Sequence, residues 1–136
     1  MKTLSTATLL AGLTLALAAH ADTPAGDPVR GAEVFKAQCS ACHLWKEGES
    51  PAIGPQLYGV IGRKAGSWGH YRYTDAMKKS GITWDLALLD QYLENPYAVV
   101  PGAAMALTVP SGKNRADVIA YLATRPEALK QPDRAP

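Results

Sequence analysis

The chain has no basic cluster. Its 14 Lys and Arg are scattered and nearly balanced by 12 Asp and Glu, whereas phosphate recognition needs concentrated positive charge, so nucleic acid is not an expected partner. No apolar run reaches the ~20 residues of a membrane span; the longest candidate, Leu9 to Ala18, is interrupted by Gly12 and Thr14. With only two cysteines in 136 residues there is no disulfide framework. Phenylalanine occurs once, against three Trp and six Tyr. Buried Trp and Tyr need partners for their polar ends, so something polar inside the fold is expected to receive them.

What is present first is a leader pattern. Lys2, the apolar run Leu9 to Ala18 and the small-x-small triplet Ala19-His20-Ala21 predict export, with cleavage after Ala21. The mature chain would be residues 22–136, one domain, with 13 Lys and Arg against 12 Asp and Glu. Only 32 of its residues are large apolar or aromatic, a thin core.

Asp22 to Gly26 read as a loose lead-in, and Asp27-Pro28 as the cap and first residue of a helix. Gly31, Phe35 and Cys39 recur at i, i+4, i+8 on one face of it, and Gly31 would let another helix approach closely. Leu44 to Tyr73 is rich in glycine and lacks periodicity, so connected loops are expected. Thirty irregular residues in a compact domain imply that something large organises them. Thr74 would cap a short helix, Asp75 to Lys79, ended by Gly81. Asp85 to Asn95 carries Leu86, Leu89 and Leu93 on one stripe and stops at Pro96. Val99 to Pro110 reads as an apolar loop, about Asn114 to Arg125 as a last helix, and 127–136 as a frayed tail.

Cys39-Ser40-Ala41-Cys42-His43 is C-x-x-C-H, the signature of covalent haem attachment. Two thiols three positions apart at a helix end can each add to a vinyl group on one haem edge, and the adjacent imidazole is then held where it can ligate iron. A thiol redox pair would need a βαβ context that is missing, and a zinc site would need ligands beyond His70, the one other Cys or His after the leader. For the sixth iron position the candidates are Met77, Met105 and His70. Met77 reads as a helix core filler and His70 as a surface histidine. Met105 follows Pro101-Gly102-Ala103-Ala104, small residues and turn formers that would let its backbone come close to haem, and is favoured.

From Gly26 to Arg125 the chain resembles the class I cytochromes c of the mitochondrial and bacterial c2-like type. The motifs stand in the family's order: C-x-x-C-H, Gly54-Pro55-Gln56-Leu57-Tyr58-Gly59, Gly62-Arg63-Lys64, Tyr73-Thr74-Asp75-Ala76, Gly81-Ile82-Thr83-Trp84, Tyr92-Leu93-Glu94-Asn95-Pro96, Pro101-Gly102-x-x-Met105 and Ala116-Asp117-x-Ile119-Ala120-Tyr121-Leu122. The resemblance implies an all-α fold of about four helices and long loops around one haem c, with the terminal helices packed together. It implies attachment through Cys39 and Cys42, axial ligation by His43 and Met105, and a Pro55 carbonyl accepting the His43 ring proton. It further implies Arg63, Tyr73 and Trp84 at a buried propionate, Tyr92 near the Met105 sulfur, and Gly31 and Phe35 against Val118 and Tyr121.

The function implied is one-electron transfer in the periplasm of a Gram-negative-type bacterium between redox proteins, a dehydrogenase donor and an oxidase or reductase acceptor. An iron ligated on both faces has no open position for enzyme catalysis. Alternatives are a haem subunit bound within an exported dehydrogenase and a peroxidase or gas-binding protein with a labile Met105. The chain departs from the family at Gln38, Tyr97, Ala98, Ala103, Ala104 and Leu107, losing much of the positive ring that steers acidic partners. Ala98, Val99, Val100, Ala103, Ala104, Ala106, Leu107 and Val109 are expected to form an apolar docking face instead.

Overall fold

The structure, a computed structural model, describes residues 26–45 and 53–124. The expected leader and tail lie outside them. Five helices follow one another: α1 (Pro28–Gln38), α2 (Asp75–Lys79), α3 (Leu86–Glu94), α4 (Pro96–Val99) and α5 (Gly112–Leu122). Each starts where a side chain satisfies backbone N–H groups that have no partner within the helix. Asp27 accepts from Val29 and Arg30, Thr74 from Met77, Asp85 from Leu88, Asn95 from Ala98 and Ser111 from Asn114.

Four helices were expected and α4 is the addition. Asn95 ends α3 and also caps α4, and Pro96 occupies the first helical position, where its missing N–H costs nothing. The last helix begins at Gly112 rather than Asn114 because Ser111 supplies the cap, and it gives way to the αR cap residue Ala123.

Helices α1 and α5 make the closest contact in the fold. A Cβ placed on Gly31 would lie 2.0 Å from the Asp117 carbonyl oxygen and one on Gly26 would lie 1.9 Å from that of Ala116. The two backbones therefore meet without side chains between them. Gly26, expected in a loose lead-in, is part of this interface. Phe35 packs on Tyr121 with ring centroids 5.6 Å apart, and Tyr121 on Trp45 at 4.2 Å.

Beside the contact, Asp117 is almost fully buried and collects donors from three residues, Arg30 giving two of them through Nε and, at 3.1 Å, Nη2. The Asp27 backbone N–H reaches it at 2.7 Å, Arg30 Nε at 3.0 Å and Lys113 Nζ at 2.8 Å. Hydrogen bonds from Arg30 and Lys113, then the Asp27 amide, hold its carboxyl well below the usual carboxylate range. Stability from this depressed group is complete above its unfolded value of about 3.9 and is lost as pH falls from there through the folded value. Asp117→Asn is therefore expected to lower stability at neutral pH and to flatten the decline below about pH 4. Denaturant midpoints measured from pH 3 to 7 check this; an unchanged acid slope would count against it.

No strands are present among the described residues, and a single antiparallel bridge joins Lys64 to Thr83. Around it the Gly62 N–H donates to the Trp84 carbonyl at 2.7 Å, the Trp84 N–H to Arg63 at 3.0 Å and the Ala65 N–H to Ile82 at 2.8 Å. This pairing gives the glycine-rich stretch its only ladder among the described residues and sets Arg63 beside Trp84.

Candidate haem-binding site

Between these elements lies a cleft enclosing about 920 Å³ of empty space, its open mouth included. Its walls are mainly apolar. Leu57, Val60, Leu89, Leu93, Val118 and Leu122 come from three separate stretches of chain. Cys39, His43, Pro55, Arg63, Tyr73, Trp84, Tyr92 and Met105 all line it, which brings together every site residue expected from the sequence except Cys42.

The cysteine motif begins at the C-cap of α1. The Cys42 N–H donates to the Cys39 carbonyl at 3.1 Å and the His43 N–H to the same oxygen at 2.9 Å, so the chain turns tightly and carries the imidazole to the cleft wall. Cys39 is buried and Cys42 half-buried, and no disulfide joins them. Burial pushes the Cys39 thiol up to about 11, with the Cys42 charge adding to the effect. A thiol redox pair works through a depressed pKa, so this setting does not suit disulfide exchange.

His43 Nδ1 lies 2.7 Å from the Pro55 carbonyl. A carbonyl can only accept, so the proton is on Nδ1 and the Nε2 lone pair is left for a metal. Burial, opposed in part by the Pro55 bond, lowers the His43 pKa and favours the neutral ring. Gly54 makes the approach possible, since a Cβ there would meet His43 Cε1 at 2.6 Å. Its own N–H donates to the Cys42 carbonyl at 2.9 Å.

Arg63 donates to the carbonyls of Gln56 at 2.7 Å and Tyr58 at 3.2 Å. Burial lowers its pKa, and no carboxylate forms an ion pair with it among the described residues. A half-buried guanidinium facing a cleft, with N–H groups left over after two carbonyls, suits an anionic group on a ligand. Tyr73 stands beside it, its hydroxyl pKa raised chiefly by burial. Trp84 and Tyr92 meet edge-on at 4.9 Å, and burial pushes the Tyr92 hydroxyl up to about 12.

Of the candidate sixth ligands, His70 is exposed against Trp68 and does not line the cleft. Met105 is half-buried on the cleft wall, and Met77 is buried in α2 but also reaches the wall. Sequence reasoning missed Tyr71 and Thr74 as wall residues. Tyr71 packs edge-on against Tyr73 at 4.8 Å in a stretch with no periodicity to reveal it. The expected apolar face needs correction: Val100, Ala103 and Val109 are buried and anchor the loop from within. Ala98, Ala104, Ala106 and Leu107 are exposed, with Tyr97 beside them.

An apolar cleft walled by short helices, with paired cysteines and an oriented imidazole at its edge and a half-buried cation within, fits a covalently attached haem and defines a small c-type haem protein. Residues 28–126 match the sequence model of the Cytochrome c family, and the chain belongs to that family of all-α electron carriers holding one haem c. It is 49% identical to cytochrome c2 of Rhodomicrobium vannielii, over 92% of this chain and 98% of that one. It is 42% identical to cytochrome c-554 of Methylosinus trichosporium over 90% and 92% of the two chains. With cytochrome c of Arabidopsis thaliana the identity is 47% over 71% of this chain and 88% of the other.

Proposed function

We propose that the chain is exported to the periplasm, cleaved after Ala21, and carries single electrons between redox proteins through a haem attached at Cys39 and Cys42 and ligated by His43 and Met105. The observation that carries this reading is the convergence of His43, Arg63, Tyr73, Trp84, Tyr92 and Met105 on one apolar cleft beside Cys39. Haem supplies the ferrous–ferric couple, whose potential a methionine ligand raises. The remaining work belongs to the chain. Pro55 fixes the His43 ring and increases its basicity as a ligand. Arg63 would neutralise, and Tyr73 and Trp84 would donate hydrogen bonds to, a propionate that would otherwise be costly inside the fold. The leucine and valine walls exclude water, and Tyr92 shapes the pocket near Met105.

The names of the Rhodomicrobium and Methylosinus relatives support the bacterial carrier reading. Among the described residues no helix is long and apolar enough to cross a membrane. Intact mass of the native protein tests attachment and cleavage together: the expected value is residues 22–136 plus one haem. Two titratable thiols in the purified protein would overturn it.

Along the chain on either side of Met105 the exposed residues Tyr97, Ala98, Pro101, Gly102, Ala104, Ala106, Leu107 and Thr108 are all uncharged. Steering needs like-signed charge near the docking patch. The bimolecular electron-transfer rate with a co-purified partner is therefore expected to vary by less than about threefold between 20 and 200 mM salt. A tenfold fall would show that charge elsewhere directs docking. The same uncharged surface supports a second reading, a subunit held in an exported dehydrogenase, for which size-exclusion of the native extract is the test.

A further inference from the structure

Met105 is carried on a loop whose exposed part is short. Val100 and Ala103 are buried on one side of it and Val109 on the other, and between them residues 104 and 106–108 are exposed. On the N-terminal side the hold is local: the Val100 N–H donates to the Pro96 carbonyl at 2.9 Å, and the Ala103 N–H to Val100 at 2.9 Å. The C-terminal side is held by other elements. The Val109 N–H donates to the Leu93 carbonyl of α3 at 2.7 Å, and the remaining bonds come from Arg115 of α5.

Arg115 is nearly fully buried and spends its guanidinium on four acceptors. Nη1 donates to the carbonyls of Val109 at 3.1 Å and Pro110 at 3.0 Å. Nε donates to Asp90 Oδ1 at 2.8 Å, and Nη2 lies 3.1 Å from Glu94 Oε1. Asp90 and Glu94 stand four residues apart on α3, so one planar fork bridges the loop end to two carboxylates. Glu94 is exposed and its contribution is screened; the buried bond to Val109 and the part-buried ones to Pro110 and Asp90 carry the arrangement. Lysine offers a point charge with no planar fork and cannot reproduce this geometry.

We propose that Arg115 is a positioning residue for the Met105 ligand: by clasping the Val109–Pro110 end of the ligand loop to Asp90 and Glu94, it keeps the methionine sulfur on the iron. This rests on the assignment of Met105 as ligand. A loop released at that end can move while α1 and α5 stay packed, because their contact and its Asp117 network use other residues of α5. Arg115 thus controls ligand release separately from unfolding.

The test uses the haem-loaded protein with Arg115→Met, Arg115→Lys and, for comparison, Asp117→Asn. A guanidinium titration is followed by the sulfur-to-iron charge-transfer band and by helical circular dichroism, with amide exchange at Val109 as a readout that needs no ligand. Arg115→Met is expected to lose the band at a lower concentration than the helix signal. Its Val109 amide should exchange on the order of tenfold faster relative to the amides of α1. Arg115→Lys should recover part of both effects, and it serves where Arg115→Met does not fold. Asp117→Asn should shift band and helix signal together. Coincident shifts in the Arg115 variants, with Val109 exchange tracking the helices, would overturn the proposal. A wild-type spectrum without the band would overturn the Met105 assignment instead, and Val109 exchange tells that failure apart from failure of the clasp.

Discussion

Gly31→Ala is expected to destabilise the protein by about 3 kcal/mol, the upper end of the overpacking range. The added methyl would lie 2.0 Å from the Asp117 carbonyl oxygen, 2.6 Å from its carbon and 2.8 Å from Tyr121 Cβ. None of these is the far end of a flexible side chain, so α1 and α5 must separate for the methyl to fit. Separation would also stretch the Asp27 and Arg30 bonds to Asp117 and the Phe35–Tyr121 contact, all of which cross the same interface. Gly81→Ala is the comparison. A Cβ there meets nothing within 4 Å, so its cost is limited to the left-handed backbone at φ +71°, roughly 1 kcal/mol. Denaturant midpoints of the two variants measure the difference; equal losses would mean that the helix contact yields easily.

Gly31 was legible because it shares a helical face with Phe35 and Cys39, and that spacing alone suggested a close helix approach. Gly26 was not, because it precedes the periodic segment and nothing local indicates that it touches Ala116. The same division runs through the site. Caps at Asp27 and Thr74, and the turn carrying Cys39 to His43, are properties of neighbouring residues and could be read directly. Asn95-Pro96 could be read as a stop, yet the residues that end α3 also begin α4, and only the backbone distinguishes a stop from a restart.

Arg115 was invisible for a different reason. In sequence it is one more charge on a polar helix start; its acceptors lie on α3 and on the preceding loop, brought together by packing. Val109 was misassigned to the surface because an apolar residue in a loop gives no periodic signal of which way it faces. Tyr71 escaped notice likewise, whereas Leu89 and Leu93 were marked as buried by their helical stripe although not as cleft wall. The motifs named the atoms that would hold the cofactor, but the shape that receives it depends on long-range contacts.

Met105→Leu is expected to abolish the sulfur-to-iron charge-transfer band, while Met77→Leu leaves it in place. The comparison is needed because both methionines reach the cleft wall. Their settings differ. Met77 is fixed in α2, its N–H bonded to Thr74 Oγ1, and its side chain is buried with the core. Met105 stands half-exposed on an irregular segment between two buried anchors, where small neighbours leave its side chain free to reach inward. Leucine nearly conserves volume, so either replacement should cost less than about 1.5 kcal/mol in packing. Loss of the thioether is therefore the main change in Met105→Leu. The reduction potential should fall by on the order of 100 mV, a fraction of the ~0.8 V that axial ligands command. The sixth position would then open to added imidazole or carbon monoxide, which the wild-type protein should resist. Redox titration and ligand-binding spectra of the two variants measure this. If Met77→Leu loses the band and Met105→Leu keeps it, the ligand assignment moves to α2, and the apolar surface around Met105 no longer lies over the iron.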